Sequence, residues 1–496
     1  MTVQCQDDSI YDTNTFSELA NTARTYVDSS PFYIFEHNLI TSGWTFKNCM
    51  GSLGGGIFQI LNHASLQDTN SVFKNNIAYE GAAINVRASN ISLNGTTFEY
   101  NYAARSGGAI YIRDESFLLT FYNVTALGNE AAYSVGVLYW ESNSYFLIQS
   151  SNFTNNTSSD TSVLFSLLCN EESRIEDSDF YYNNSTIGGT VKTILTNITV
   201  YNTTFEDNVS SLQTSSIYVA FSYTNITICN FTNTDTDSET NSLTSKLTGG
   251  FMFFTADSNV EINNCTFTNG VATSGGALYF AGDWSATINW CIFENNAVYR
   301  FGGSIYSNNN YITVNNSTFN RSIAAQQGSD IYGTFGNISI YDSSFEVGNK
   351  VSIYTISVVT RLNQVQMIGY NTSSQEFTSD YGAGVYAEDT TEFVIESSTF
   401  ENLTFAQFGG AIAIVKTGSI TEGDNLPTTT YYTIKDSTFT SNIAQVGGAI
   451  YVYNTETVSI SNCSFYDNIA NYDQAVENSG YGGSIFYYTT GKLNND

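Results

Sequence analysis

The chain is 496 residues long and carries 46 acidic against 16 basic side chains, a formal charge of −30 at pH 7. Such a surface repels nucleic acid, anionic lipid and polyuronates alike. No run of eighteen or more apolar residues is present to cross a membrane as a helix, so direct membrane insertion is not expected.

In chain order, Met1 to Tyr11 is polar and acidic and does not read as a signal peptide. The expectation is a removed leader or a piece of a longer protein. Phe16 to Val27 has helix-compatible spacing and is expected to cap the open end of the repeats, within an N-terminal region 1–45. From Phe46 onward a Phe recurs at a spacing close to 26 residues, and each unit is read as one piece that cannot bury its apolar side alone. The anchors run Phe46, Phe73, Phe98, Leu127, Phe153, Phe180, Phe205 and Phe231, then Phe267, Phe293, Phe319, Phe345, Met367, Phe400, Phe439 and Phe465.

Alignment on the anchors gives each position a job. Two residues before the anchor a small side chain recurs, as at Ser71, Thr96, Ser151 and Cys291; five before it an aliphatic recurs, as at Leu93, Ile148 and Ile340. Residues two apart share a face of a strand, so the aliphatic pair and the Phe belong to different strands with a corner between. A third strand follows in the Gly-Gly-Ala-Ile block, where Ile110 and Ile112 or Ile450 and Val452 share a face. Three strands per turn predict an all-β fold, a three-sided parallel β-helix of about 16 coils, and crossover chirality favours the right hand. Insertions are expected near 233–248 and 416–430. Asn three after the anchor, at Asn76, Asn101, Asn156, Asn183, Asn208, Asn296, Asn442 and Asn468, is read as a corner column that tolerates left-handed backbone and bonds the neighbouring main chain.

The two motifs together, Phe-x-x-Asn and Gly-Gly-Ala followed by an aliphatic, resemble the repeats of the polymorphic outer membrane protein family. Phe98 to Asn101 with Gly107 to Ile110, and Phe439 to Asn442 with Gly447 to Ile450, carry the resemblance best, followed by Phe293 to Asn296 with Gly302 to Ile305. It implies a right-handed β-helix displayed on a cell surface for adhesion or as a secreted passenger. Those bacterial proteins end in a transmembrane β-barrel, whereas this chain stops at Asp496. Similar repeats look common in surface proteins of single-celled eukaryotes, so the bacterial export route is not carried over.

Candidate sites follow from the register. Sequons at Asn90, Asn152, Asn197, Asn230 and Asn337 flank inward residues and should face solvent, and those at Asn94, Asn202, Asn264, Asn316 and Asn462 lie at the corner before the Phe strand. They are expected to carry N-linked glycans, unlike Asn156, Asn183 and Asn208 of the corner column. Cys265 and Cys291 stand in adjacent coils and are disulfide candidates, and Cys5 and Cys49 are candidates to staple the N-terminal region to the first coil. Asp235, Asp237 and Glu239 resemble the start of a calcium loop without its Gly and terminal Glu, so calcium is the one cofactor with a candidate place. Tyr111, Tyr279, Tyr306, Tyr332 and Tyr451 follow inward residues and should form an outward aromatic stripe, stacked from rung to rung or open to a sugar or another rod.

Enzymatic chemistry has little to work with. His37 and His63 are the only histidines, and the carboxylates Asp7 and Asp8, or Glu176, Asp177 and Asp179, read as solvated faces. The expectation is an extracellular or cell-surface glycoprotein without enzymatic activity. A role as structural or adhesive building block fits, self-associating laterally or end to end through the strand edge near Lys492 to Asp496. A β-helix enzyme acting on a glycan and the ectodomain of a longer surface protein are the alternatives.

Overall fold

The computed structural model describes residues 1–4, 32–51, 54–114, 118–169, 171–234, 249–348, 350–369, 379–404, 406–417, 431–455, 457–472 and 479–489. Among these residues every regular element is a strand, and neighbouring strands pair in parallel. The chain is a parallel β-solenoid of about 15 turns, each resting its apolar face on the next.

One turn shows how the residues dictate it. Asn90–Asn94 turns Ile91 and Leu93 inward, Thr97–Glu99 buries Phe98, Tyr102–Ser106 buries Ala103, and Ile110–Arg113 buries Ile110 and Ile112. Corners between them fall on left-handed residues: Gly95 (φ 65°), Tyr100 (φ 52°), Gly107 (φ 67°) and Asp114 (φ 69°). At the Gly pair the first glycine supplies the positive φ, and a Cβ on the second would strike the Gly136 carbonyl of the next turn.

Among the described residues most turns carry four strands where three were expected. The additional one lies between the Phe corner and the Gly pair, as in Ile77–Glu80, Glu130–Ala131 and Ile443–Ala444. Its inward residue is usually only an Ala, which gives no hydrophobic alternation to read. The Gly-Gly-Ala-Ile strand and the aliphatic strand belong to one sheet, and in two turns they fuse into Ile305–Asn315 and Ile331–Tyr341. Such a turn feeds three sheets, an arrangement compatible with a three-sided coil.

Two boundaries shift. Thr2–Gln4, Phe32–Phe35 and Asn38–Ser42 pair in register with strands of the first full turns, so solenoid pairing begins inside the region assigned to the cap. Phe16 to Val27 and most of the two expected insertions lie outside the described residues. The fourth anchor is Ala126, flanked in register by Phe98 and Phe153, and not Leu127. Only this register places Asn129 in the Asn column, and the larger Phe121 stands where neighbouring turns have Leu93 and Ile148.

The contact pattern divides the chain into two units, Met1–Val260 and Glu261–Asp496. In the first, a buried ladder runs through Asn76, Asn101, Asn129, Asn156, Asn183 and Asn208. Asn101 Nδ2 donates to the Phe73 carbonyl at 2.9 Å and to Asn129 Oδ1 at 2.9 Å. Its own Oδ1 accepts from the backbone amide and Nδ2 of Asn76 at 3.1 and 2.9 Å. Both donors and both acceptor lone pairs are used, which is what makes a buried amide tolerable. The left-handed residue is the one before, as at Asn75, Tyr100, Asn155 and Tyr182; the column Asn is chosen for its side-chain bonds. In the second unit Phe rings stack tightly, with Phe319 and Phe345 at 4.5 Å and 3° between planes.

Candidate functional site

The position after the first inward residue of the Gly-Gly-Ala-Ile strand builds a column on the outside of the coil. In the second unit it reads Tyr279, Tyr306, Tyr332, Tyr354, Tyr386, Ala413, Tyr451 and Phe486. Successive rings from Tyr279 to Tyr386 lie 4.4 to 5.5 Å apart. The stripe does not face water along its length. Tyr332, Tyr354, Tyr386 and Tyr451 are buried, while Tyr279 and Tyr306 are half-buried. The cover comes from residues just before the left-handed corner glycines, Phe301, Tyr381, Phe408 and Val446, which pack over the rings as a second apolar cluster. A large apolar residue directly before the corner glycine is the signal that reveals these rim residues.

Burial has a chemical consequence. It pushes the Tyr332 hydroxyl up to about 12, and raises Tyr354 and Tyr386 as well, with Glu388 adding to both. The Tyr386 hydroxyl remains a donor, giving its proton to Glu388 at 3.1 Å.

The first unit runs Gln59, Asn85, Tyr111, Tyr139, Phe165, Lys192, Tyr218 and Phe253 at the same position. Tyr111 is buried and stacks on Tyr139 at 4.7 Å. Lys192 takes the place of a ring, its Nζ 5.7 Å from the Phe165 centroid and 5.4 Å from that of Tyr218. Asp160 holds the same ammonium at 2.8 and 3.0 Å. A cation between two rings with its own carboxylate keeps the stack closed.

The sequon residues divide by exposure. Asn90, Asn94, Asn197, Asn202, Asn230, Asn264 and Asn462 are exposed, and Asn152, Asn316 and Asn337 half-exposed. Asn156, Asn183 and Asn208, whose sequences also read as sequons, are buried in the ladder. Asn202, Asn264, Asn316 and Asn462 also take positive φ, the reason Asn recurs at that corner.

Cys265 and Cys291 are buried thiols, not a disulfide. Each Sγ donates to the carbonyl two residues earlier, Asn263 and Asn289, both at 3.3 Å. Burial raises the Cys291 thiol well above its usual range, with Cys265 adding to it. Cys49 is disulfide-bonded and buried, and Cys5 lies outside the described residues.

Asp235, Asp237 and Glu239, and Asp7 and Asp8, also lie outside the described residues. Glu176 and Asp179 sit on outward strand positions, with Arg174 3.7 Å from Glu176, and Asp177 accepts from Asn202 at 2.7 Å. His37 and His63 are exposed. Among the described residues no group of three His, Cys, Asp or Glu side chains is placed to hold a metal ion.

The Chlamydia polymorphic membrane protein (Chlamydia_PMP) repeat matches residues 95–113 and 436–453. Both windows contain a ladder Asn and a Gly pair in the geometry above, Asn101 with Gly107 and Asn442 with Gly447. No curated protein matches the chain. Repeat and fold together suggest a surface-associated protein of structural or adhesin-like character.

Proposed function

We propose that the chain is an extracellular or cell-surface β-solenoid glycoprotein with a structural or adhesive role and no enzymatic activity. One observation carries the reading. The recurrent polar residues of the repeat are used to tie one turn to the next: the Asn ladder satisfies itself, and corner hydroxyls such as Ser151 Oγ and Ser317 Oγ accept amides of the preceding turn at 3.1 and 3.2 Å. Chemistry of that kind produces a stiff scaffold, and the repeat matches supply the surface context. Glycans on the exposed sequons would then coat the outside, and copies pack laterally where the coat leaves room.

Secretion from a glycosylating host followed by peptide mapping tests this. Sugar is expected on Asn90, Asn94, Asn197 and their exposed counterparts, with none on Asn156, Asn183 or Asn208. Antibody labelling of intact native cells should find the chain outside. Labelling only after permeabilisation would end the surface reading.

A further inference from the structure

The turn anchored on Phe345 is short. Phe345 lies eight positions before Ile353, whereas in the preceding turn Phe319 lies twelve before Ile331, and the two Phe and two Ile residues pair in register. The missing length falls in the additional strand of the turn. Val271–Ser274, Ala297–Phe301 and Ile323–Ala324 form one sheet, and Ser379–Tyr381 with Ala406–Phe408 forms another. Among the described residues the Phe345 turn contributes no strand between them.

The skipped rung leaves a notch of about 170 Å³. Tyr354 and Tyr386 of the aromatic column floor it, Gln326 and Gln327 form one wall, Asp380 and Tyr381 the other, and Lys350 and Val351 lie between. Phe408 stacks on Tyr381 at 5.1 Å from the following turn, so the notch lies on the opposite side of that ring.

We propose that this notch is a subsite for one ring of a neutral glycan. Its volume is well below the roughly 300–1,000 Å³ of sites for drug-sized ligands, which limits it to a single ring. A pyranose seated in the vacated rung would lay its CH face toward Tyr381 and continue the rim stack. Its hydroxyls would meet two amides, a carboxylate and an ammonium, a set that both donates and accepts. Charge selects among ring-sized groups. Asp380 and a formal charge of −30 oppose an acidic sugar, and Lys350 opposes a quaternary ammonium. The inference gives the adhesive reading a ligand class and rests on that reading only for its biological use.

Ligand-observed NMR on the full chain tests it, with methyl glycosides of galactose, mannose, glucose and N-acetylglucosamine as probes, and glucuronate and tetramethylammonium as comparisons. Saturable binding of at least one neutral glycoside is expected. Gln326→Ala and Asp380→Ala should each weaken it about tenfold, the loss of one or two hydrogen bonds. Both side chains are exposed, so unchanged thermal unfolding will show that the fold survives. No neutral glycoside binding, preference for either charged probe, or unchanged affinity in both variants would overturn the subsite. A chain that binds sugar but lies inside the cell sinks the surface reading alone; a surface chain that does not bind sinks the notch alone.

Discussion

The two units keep the same turn and tie it together differently. In the first, six consecutive turns place an Asn in the buried ladder, while the outer column admits Gln59, Asn85 and Lys192 among its rings. In the second, the ladder position is Asn only at Asn296, Asn442 and Asn468; Gly270, Ser322 and Leu403 stand in other turns. There the outer column is aromatic at seven of eight positions and roofed by rim residues. A solenoid thus has two ways to specify stacking, by saturated amides inside or by covered rings outside. Where one thins, the other thickens.

If that is right, the largest single effect belongs to the interior of the first unit. Asn156→Ala removes the partner of the Ala126 carbonyl and of the Asn129 amide and side chain, all buried. Leaving these groups unsatisfied should cost about 5 kcal/mol. Hydrogen exchange will show opening centred on the turns of Asn129 and Asn183; a loss below about 1 kcal/mol would remove the ladder from the comparison.

Next in size is a buried acid where the second unit's ladder is broken. Asp330 occupies the Ala position of its Gly-Gly-Ala block and accepts from Ser352 Oγ at 2.7 Å. Burial pushes its carboxyl from 3.8 up to about 7. The folded state therefore holds a proton that the unfolded state has released between about pH 4 and 7. Its contribution to stability is fully present below about pH 4, falls as pH rises, and is gone above about pH 7. About three units correspond to roughly 4 kcal/mol. Asp330→Asn should remove this slope, read as the difference between variant and wild-type urea midpoints at pH 4.5 and pH 8. Parallel profiles would mean that the site is wetter than its burial implies.

The outer columns come third. Tyr386→Ala deletes a buried ring packed 4.5 Å from that of Tyr354 and should cost about 3 kcal/mol. Lys192→Met keeps the length of the side chain but loses two ring contacts and the Asp160 pair, for about 1.5 kcal/mol that shrinks in high salt. Thermal unfolding of both variants measures the ratio, and equal losses would deny that the second unit leans harder on its column.

Legibility in the sequence tracks repetition. Inward Phe, small corner residues and aliphatic pairs each recur with a chemical identity, so solenoid, strand direction and register could be read turn by turn. Ala126 escaped because the anchor lost its size while Leu127 beside it kept one. The additional strand escaped because its inward Ala carries no alternation, and with it went the rim of Phe301, Tyr381 and Phe408 that roofs the tyrosines. The Phe345 notch is visible only as an interval too short, and a length difference says nothing until the neighbouring walls are placed. Cys265 and Cys291 stand in adjacent turns, as a bridge would need; that each Sγ instead bonds the carbonyl two residues earlier belongs to packing.

The smallest expected effect has the opposite sign. At the corner after the Gly-Gly-Ala-Ile strand the first unit begins with Asn62, Ala88 and Asp114, then places Leu168, Leu195 and Phe221 at φ 65°, 52° and 54°, these three substantially exposed. The second unit uses Asn309, Ser357, Asp389 and Asn454 there, with Phe335 the bulky exception. Left-handed backbone is costly for a bulky side chain, and Asn relieves part of that cost through local hydrogen bonds. Leu195→Asn should therefore stabilise the chain by about 0.5 to 1 kcal/mol, seen as a small rise in unfolding temperature. A destabilisation instead would mean that the apolar side chains at this corner contribute contacts worth more than the strain they carry, and that the first unit has a third means of stacking along its outer edge.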